Sequence, residues 1–463
     1  MGYLIDKLTA VFPLAAPYLK RVQGEGAGAT LVRGAGGAFM VNVVGTGLTF
    51  AAHVVLARTT GTSSYGNFVY AITWLNLLVL FAKLGQDTAS MRFVAEYNGT
   101  GKWGLLQGFV KRSTQVSFAT SLFVAGTTAG AIWLVRDRLD PELATAFWLV
   151  CLILPLHALL LVRSAALRGL KKVVKAQAAI KIMRPAVLVL LVGVVYYLWR
   201  DVLNATTAMA VNLAAFAGSL LFAAYYFAKA YPSKAAESKP EFMSSTWVRV
   251  AIPMLFISAM TQAQNRADLL VLGVFLDASQ VGIYGAVKNI TLLIGFGLAA
   301  VNNIAGPLIS EMWHQGRKEE LQRVLTLAAK GIVLFTIPMS IIMVVFGKHV
   351  LALFGPDFTL AYWPLIILVG AQTLNSLAGS VGLIMVMTGH QRNASLIVLV
   401  SLLMNVVLSV LLIPEHGITG AALAMAVSYS LLNLLMLVYI FRKLGLNPSI
   451  VQWKKSHKPL ERN

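Results

Sequence analysis

Three ionisable residues, Arg266, Asp268 and Lys288, lie inside long apolar stretches of the chain. A charged side chain in the hydrocarbon of a membrane costs about 2.5–3.5 kcal/mol on insertion scales, so such groups normally face a bundle interior or a water-filled cavity. Two cations against one carboxylate leave a positive surplus, and the planar guanidinium of arginine has paired donors that suit phosphate oxygens. The pattern predicts a cationic lining for an anionic head group.

Uncharged polar residues accompany these charges at helical spacing. If the first stretch is one uninterrupted helix, its polar side chains share an arc of about 160°. These side chains are Ser258, Thr261, Gln262, Asn265, Arg266 and Asp268. One narrow face of the next stretch carries Tyr284, Lys288, Thr291, Gly295 and Asn302. From the two sets we predict a substrate lumen lined by Arg266, Lys288, Gln262, Asn265 and Tyr284.

Two other arrangements fit the same charges. Asp268 could pair with Lys288 across the two helices while Arg266 caps a backbone carbonyl or extends towards the membrane surface. Asp268 could also be the titrating group of a proton- or sodium-coupled transport cycle, because burial and nearby charges change the proton affinity of a carboxylate. Ion coupling at Asp268 therefore stays a hypothesis beside the cationic lining.

The composition indicates that these charges lie in a membrane-spanning protein. The mean hydropathy is +0.74, and only 12% of the residues are charged, against about 25% in soluble domains. Twelve apolar stretches are long enough to cross a hydrocarbon core of about 30 Å. They lie at about 36–57, 66–85, 113–135, 143–162, 180–199, 205–227, 249–274, 281–305, 327–347, 362–388, 393–413 and 418–441. We predict an all-α polytopic membrane protein with about 12 transmembrane helices, since hydrocarbon offers free backbone groups no partner.

The chain repeats itself at a shift of about 216 residues. Gly66 aligns with Gly282 and Ala208–Val211 with Ala424–Val427, while at a shift of 215 Gly101 aligns with Gly316. Six helices per half return the chain to its starting side, so the halves share one orientation about an axis along the membrane normal. The predicted parts are an N-terminal segment (1–32, cytoplasmic or interfacial, with a cleaved signal peptide as the weaker alternative), two six-helix halves (33–227 and 249–441), a cytoplasmic linker (228–248) and a basic cytoplasmic tail (442–463).

The net charge of +20 follows the predicted topology. Most of the 38 Lys and Arg fall in the N-terminal segment, the even-numbered connections and the tail, including an acid-free run from Arg163 to Arg184. The opposite side carries only Arg58, Arg136, Arg138, Arg200 and Lys348. This bias predicts cytoplasmic termini. No loop is long enough for a basic nucleic-acid-binding domain, so we expect no nucleic-acid partner.

Weaker signals have structural explanations. His53 and His157 could carry protons, but a histidine bonded to a neighbouring helix is the commoner case. The small residues from Gly126 to Ala131 predict a close helix contact. The sequence has no phosphate-binding loop, no HExxH motif and no zinc-ligand spacing. We therefore expect no enzyme activity, no cofactor and no metal site.

Three stretches resemble a known family. The first runs from His53 to Arg58 and on to Ser64–Phe68, the second from Arg266 to Gly273 and on to Val281–Tyr284, and the third is Ile418–Ala422. Together they resemble the polysaccharide transporter branch of the multidrug/oligosaccharidyl-lipid/polysaccharide exporter superfamily, which includes O-antigen flippases. The resemblance covers about residues 33–441. The chain departs from some members in its N-terminal extension and in having twelve helices where they have fourteen.

The resemblance implies that a polyprenyl-diphosphate-linked saccharide moves from the cytoplasmic to the outer leaflet by alternating access. It further implies a bacterial plasma (inner) membrane, export of a cell-surface polysaccharide such as lipopolysaccharide O-antigen, and contacts with membrane lipids and glycan assembly proteins. One alternative is an ion-coupled multidrug exporter of the same superfamily. Another is a membrane glycan polymerase or ligase, which the short outer connections disfavour. An organic-cation exporter would favour carboxylates over the Arg and Lys seen here.

Overall fold

The computed structural model describes residues 27–199 and 203–450, and these contain helices and no β-strand. The first half contains α1 (Ala27–Lys83), α2 (Gln86–Thr100), α3 (Trp103–Val135), α4 (Pro141–Gly169), α5 (Val173–Leu198, with a π-helical segment at Ala179–Met183) and α6 (Ala205–Ala230). A short helix, α7 (Ser233–Glu237), follows. The second half contains α8 (Ser244–Gln264), α9 (Ala267–Phe275), α10 (Ala278–Ile294), α11 (Phe296–His314), α12 (Lys318–Ala352), α13 (Tyr362–Ala378), α14 (Val381–Met387) and α15 (Gln391–Tyr439).

Eight helices in the described ranges are long and apolar enough to cross a membrane, or nine if the bent pair α10–α11 is one span. The two longest, α1 with 57 residues and α15 with 49, each contain a glycine outside helical geometry. These are Gly61, with φ +78°, and Gly417, with φ +55°. Each is therefore two helices joined at a kink. The polytopic helical fold is confirmed, and the number of about twelve spans stays a prediction.

The two halves repeat their local geometry. Gly101 and Gly316, which align in the sequence, both adopt left-handed geometry, with φ +70° and +72°. In the first half, the N–H of Lys102 donates to the carbonyl of Tyr97 at 3.0 Å. In the second, the N–H of Arg317 donates to the carbonyl of Met312 at the same 3.0 Å. The same turn thus ends a helix at matching places in both copies.

The halves approach each other closely where α1 crosses α10. A Cβ atom on Gly66 would lie 1.6 Å from the carbonyl oxygen of Ala278, and one on Gly282 would lie 2.4 Å from that of Thr62. These two glycines are partners in the sequence repeat, so the approach is nearly symmetric. Nearby, the Nε of Arg58 donates to the carbonyl of Leu353 at 2.7 Å. The two halves are therefore in contact on the side predicted to be extracellular.

The predicted linker packs on the first half. The N–H of Glu241 donates to the carbonyl of Gly104 at 3.0 Å, and the indole N–H of Trp247 donates to the hydroxyl of Tyr97 at 2.9 Å. The start of α8 is held by the second of these bonds. The linker thus positions the first helix of the second half.

Two predictions concern other parts of the chain. The close contact predicted at Gly126 to Ala131 is wrong, because a Cβ atom on Gly126 or Gly130 would meet open space. Residues 1–26, 200–202 and 451–463 lie outside the described residues. The predicted N-terminal segment and basic tail therefore stay predictions over those positions.

The glycine contact between the halves generates a stability prediction. Gly66→Ala and Gly282→Ala each place a methyl group inside contact distance of a backbone carbonyl, and overpacking of this kind costs roughly 1–3 kcal/mol. We expect both variants to lower the melting temperature of the detergent-purified protein. Gly218→Ala is the matched control, because its Cβ atom would meet nothing within 4 Å. Equal melting temperatures for all three variants would contradict the assignment.

Candidate functional site between the two halves

A break in the seventh predicted span positions the three charges found in the sequence. The helix ends at Gln264 and restarts at Ala267, and Arg266 in between has φ −131°. The polar residues predicted to share one arc from Ser258 to Asp268 therefore do not lie on one uninterrupted helix. Asp268 falls in the first turn of α9, where the helix dipole favours a negative charge.

The eighth predicted span is also bent, at Gly295. The segments Ala278–Ile294 and Phe296–Asn302 meet at 47°. Tyr284 and Lys288 lie on the first segment, whereas Asn302 lies on the second. The single narrow face predicted for these residues is thus divided between two helix axes.

Asp268 forms the centre of a buried hydrogen-bonded group. Its side chain is 0% exposed. Lys288 Nζ lies 2.6 Å from Oδ1 and 2.8 Å from Oδ2, and the hydroxyl of Tyr284 donates to Oδ2 at 2.6 Å. Lys288 Nζ also donates to the backbone carbonyl of Asn265 at 2.7 Å. The ion pair considered from the sequence is therefore present, and it joins α9 to α10.

Arg266 lies outside this group. Its side chain is half-buried, and within the described residues its Nε atom is buried without a hydrogen-bond partner. This Nε atom therefore does not cap a backbone carbonyl, which was one of the two placements weighed for Arg266. Arg266 thus retains a buried donor atom that binds no other described group.

Arg184, which the charge pattern assigned to a cytoplasmic connection, lies within a helix long and apolar enough to cross a membrane. It follows the π-helical segment of α5 directly, and α5 begins at Val173 instead of near residue 180. Its Nε and Nη2 atoms donate to Oδ1 of Asn212 at 3.3 Å, and its guanidinium lies 4.2 Å from the centre of the Phe216 ring. The side of the membrane on which Arg184 lies stays a prediction.

Arg184 and Arg266 come from different halves of the chain. The two histidines singled out in the sequence, His53 and His157, both lie in the first half. His53 Nδ1 lies 3.0 Å from the hydroxyl of Tyr65, and the ring of His157 lies 4.6 Å from that of Phe216. Both histidines are therefore packed against aromatic side chains.

The remaining predicted lumen residues have different surroundings. Tyr284 is fully buried against Asp268, Gln262 is half-buried, and Asn265 lines a cavity of about 340 Å³ in the second half. Their roles towards a substrate stay predictions, as does ion coupling at Asp268. The structure places Arg266, Asn265, Asp268, Lys288 and Tyr284 around one helix break.

The described residues form a helical fold with long apolar helices and a buried group of charged side chains. The chain belongs to the family described as polysaccharide biosynthesis protein, whose model matches residues 31–313. This agrees with the resemblance found in the sequence.

A curated relative is similar to part of this chain, and two solved structures share its fold. A Haloferax volcanii protein named as a probable low-salt glycan biosynthesis flippase, Agl15, is 28% identical over 174 residues, 37% of each chain. The match thus spans little more than a third of that relative. An inward-facing multidrug resistance MATE family transporter of the MOP superfamily matches with TM-score 0.72 and 12% identity, over 88% of this chain and 98% of that one. The lipid II flippase MurJ, in an inward closed conformation, matches with TM-score 0.69 and 13% identity, over 87% and 86%.

The buried ion pair generates a second stability prediction. Lys288→Met leaves the Asp268 carboxylate buried without its cation, and breaking a buried pair in this way costs about 3–5 kcal/mol. We expect a marked fall in melting temperature and in the yield of folded protein.

The double variant Asp268→Asn/Lys288→Met is the matched comparison, because it removes both charges together. We expect the double variant to be more stable than Lys288→Met alone. A single variant with the wild-type melting temperature would contradict the structural role of this pair.

Proposed function

We propose that the protein moves a polyprenyl-diphosphate-linked saccharide from the cytoplasmic to the outer leaflet by alternating access. The arginine at the helix break, Arg266, carries this proposal. Its Nε atom is buried and has no hydrogen-bond partner among the described residues, and phosphate oxygens are acceptors that suit a guanidinium group. Arg184, in the first half, is another arginine within a helix long and apolar enough to cross a membrane.

A diphosphate matches this pair better than a single carboxylate does. Each guanidinium binds phosphate oxygens through paired donors, and two adjacent phosphate groups offer one binding partner to each arginine. Because Arg184 belongs to the first half and Arg266 to the second, a bridging diphosphate would contact both. A ligand that holds both halves can be coupled to their relative movement.

The multidrug-exporter alternative has less support from the site. An organic cation requires an accessible carboxylate, whereas Asp268 is fully buried and already accepts bonds from Lys288 and Tyr284. The fold is shared by both classes of transporter, so fold alone does not discriminate between them. The surplus of positive charge favours an anionic substrate.

The cell membrane, with both termini in the cytoplasm, is the proposed location. Lipid-linked oligosaccharide and membrane lipids are the proposed partners, together with the proteins that assemble the glycan. O-antigen and a bacterial inner membrane stay predictions from the resemblance, because the named relative comes from an archaeon.

The two arginines provide the test. In proteoliposomes containing a fluorescent polyprenyl-diphosphate saccharide, we expect Arg184→Ala and Arg266→Ala each to slow flipping by roughly 10- to 100-fold. Loss of one charge-assisted hydrogen-bonded contact of about 1.5–3 kcal/mol gives this range. The Lys variants should retain part of the rate, since lysine keeps the charge but loses the paired donors.

Arg323→Ala serves as the control, because Arg323 is exposed on α12. In cells, loss of the protein should leave lipid-linked repeat units on the cytoplasmic side. If both alanine variants flip the lipid at the wild-type rate and at normal expression, the proposed function is wrong.

A further inference from the structure

The second half contains a chamber lined by apolar residues together with uncharged polar ones. It has a volume of about 340 Å³ and lies between α8, α11, α13, α14 and α15. Among the described residues that line it, none carries a formal charge. This volume is within the range of small-molecule sites, roughly 300–1,000 Å³.

Two helix breaks border the chamber. Asn265 adjoins the break between α8 and α9, and Gly379, with φ +78°, adjoins the break between α13 and α14. Non-helical backbone at membrane depth is tolerated only where it is buried in protein or lines a wet cavity. Both breaks therefore bring backbone groups, as well as side chains, to the wall of this chamber.

Several buried polar atoms at the chamber are unpaired within the described part of the chain. They include Oε1 of Gln264, Oδ1 of Asn302 and Oγ of Ser380. Gln264 is only 2% exposed and Ser380 only 5%. Buried polar groups are nearly always hydrogen-bonded, so a cluster of unpaired ones indicates a place for a ligand or ordered water.

The orientation of Gln264 is fixed by a hydrogen-bond chain. Its amide nitrogen donates to the hydroxyl of Ser401 at 2.9 Å, and that hydroxyl donates to the carbonyl of Ser428 at 2.6 Å. The side-chain oxygen of Gln264 is buried and has no hydrogen-bond partner among the described residues. The side chain of Gln264 is thus fixed in orientation at the wall of the chamber.

The lining identifies the class of ligand. An anion would need a cation and a metal ion would need carboxylates, and neither is present among the described lining residues. Amides and hydroxyls that both donate and accept suit a ligand dense in hydroxyl groups. Tyr429 adds an aromatic ring on which the apolar face of a sugar can lie.

We infer that this chamber binds the uncharged saccharide of the transported lipid, an inference that rests on the proposed function. Asn265 lines the chamber, and the next residue, Arg266, belongs to the cationic pair. In the proposed substrate the saccharide is bonded directly to the diphosphate. Asn265 and Arg266 are likewise adjacent in the chain, so the two parts of the substrate would meet neighbouring binding residues. The pair holds the diphosphate, and the chamber selects the glycan.

The test uses one variant that fills the chamber and one that removes a polar side chain from its wall. Gly382 lines it, and a Cβ atom there would lie 3.9 Å from Sδ of Met436, which is ordinary contact. Gly382→Leu therefore fills the space without a clash at the backbone. Asn375→Leu is the second variant, because Asn375 lines the chamber, is 7% exposed and has a side chain with no hydrogen bond to another described residue. Gly218→Leu is the control, because it faces open space in the first half.

Flipping is measured in proteoliposomes with two lipids, polyprenyl diphosphate carrying an uncharged trisaccharide and polyprenyl diphosphate without sugar. We expect the chamber variants to lower the ratio of the two rates about tenfold, in keeping with the loss of one or two hydrogen bonds. Gly218→Leu should keep the wild-type ratio. An unchanged ratio in both chamber variants, at normal melting temperature, overturns the inference.

A binding measurement separates this inference from the proposed function. Purified full-length protein is titrated with a panel of uncharged oligosaccharides and, separately, with inorganic diphosphate, and stabilisation is followed by thermal shift. We expect Gly382→Leu to lose the response to oligosaccharide, and Arg266→Ala the response to diphosphate. If the wild type binds oligosaccharide in the chamber but flips neither lipid, only the proposed function fails. If it flips both lipids and no oligosaccharide stabilises it, only the chamber assignment fails.

Discussion

A carboxylate buried in the hydrocarbon region has to be neutralised by the protein itself, because the surroundings offer neither water nor a counter-ion. Asp268 meets this requirement through Lys288 and Tyr284, both on α10. The same ammonium group also donates to the backbone carbonyl of Asn265, at the helix break. One lysine therefore connects the end of α8, the start of α9 and α10. Arg266 lies within this connected segment, so its position depends on an ion pair in which it takes no part.

The scaffold is repeated, but the charges are not. At the shift of 216 residues, Arg266, Asp268 and Lys288 correspond to Phe50, Ala52 and Ile72. The first half contributes its cation from a different helix, through Arg184 on α5. Gly66 and Gly282, which are partners in the repeat, meet at one close contact between the halves. The proposed substrate has two chemically different ends, and halves that differ in their side chains would suit it.

Electrostatic attraction acts over a longer distance than hydrogen bonding. In the proposed site, the cations and the hydrogen-bonding groups therefore lie on different surfaces. A pair of cations attracts an anion over several ångströms in a medium of low dielectric constant, with little dependence on geometry. Hydroxyl groups are discriminated only at contact, by donors and acceptors whose positions are already fixed. The bond from Gln264 to Ser401 supplies such a fixed position. A common diphosphate and a variable saccharide would thus be recognised by neighbouring but physically distinct surfaces.

The sequence by itself determined the membrane class, the helical fold and the repeat, because the length of apolar runs and the placement of Lys and Arg are properties of the chain alone. It also identified Arg266, Asp268 and Lys288, since a charge inside an apolar run is conspicuous without any structure. It missed the break at Asn265 and Arg266, where no glycine or proline marks the end of the helix. It also counted Arg184 with a basic loop, although this residue lies within α5. Only the tertiary structure decided which cation Asp268 binds and which remains free, because that choice depends on the packing of α9 against α10.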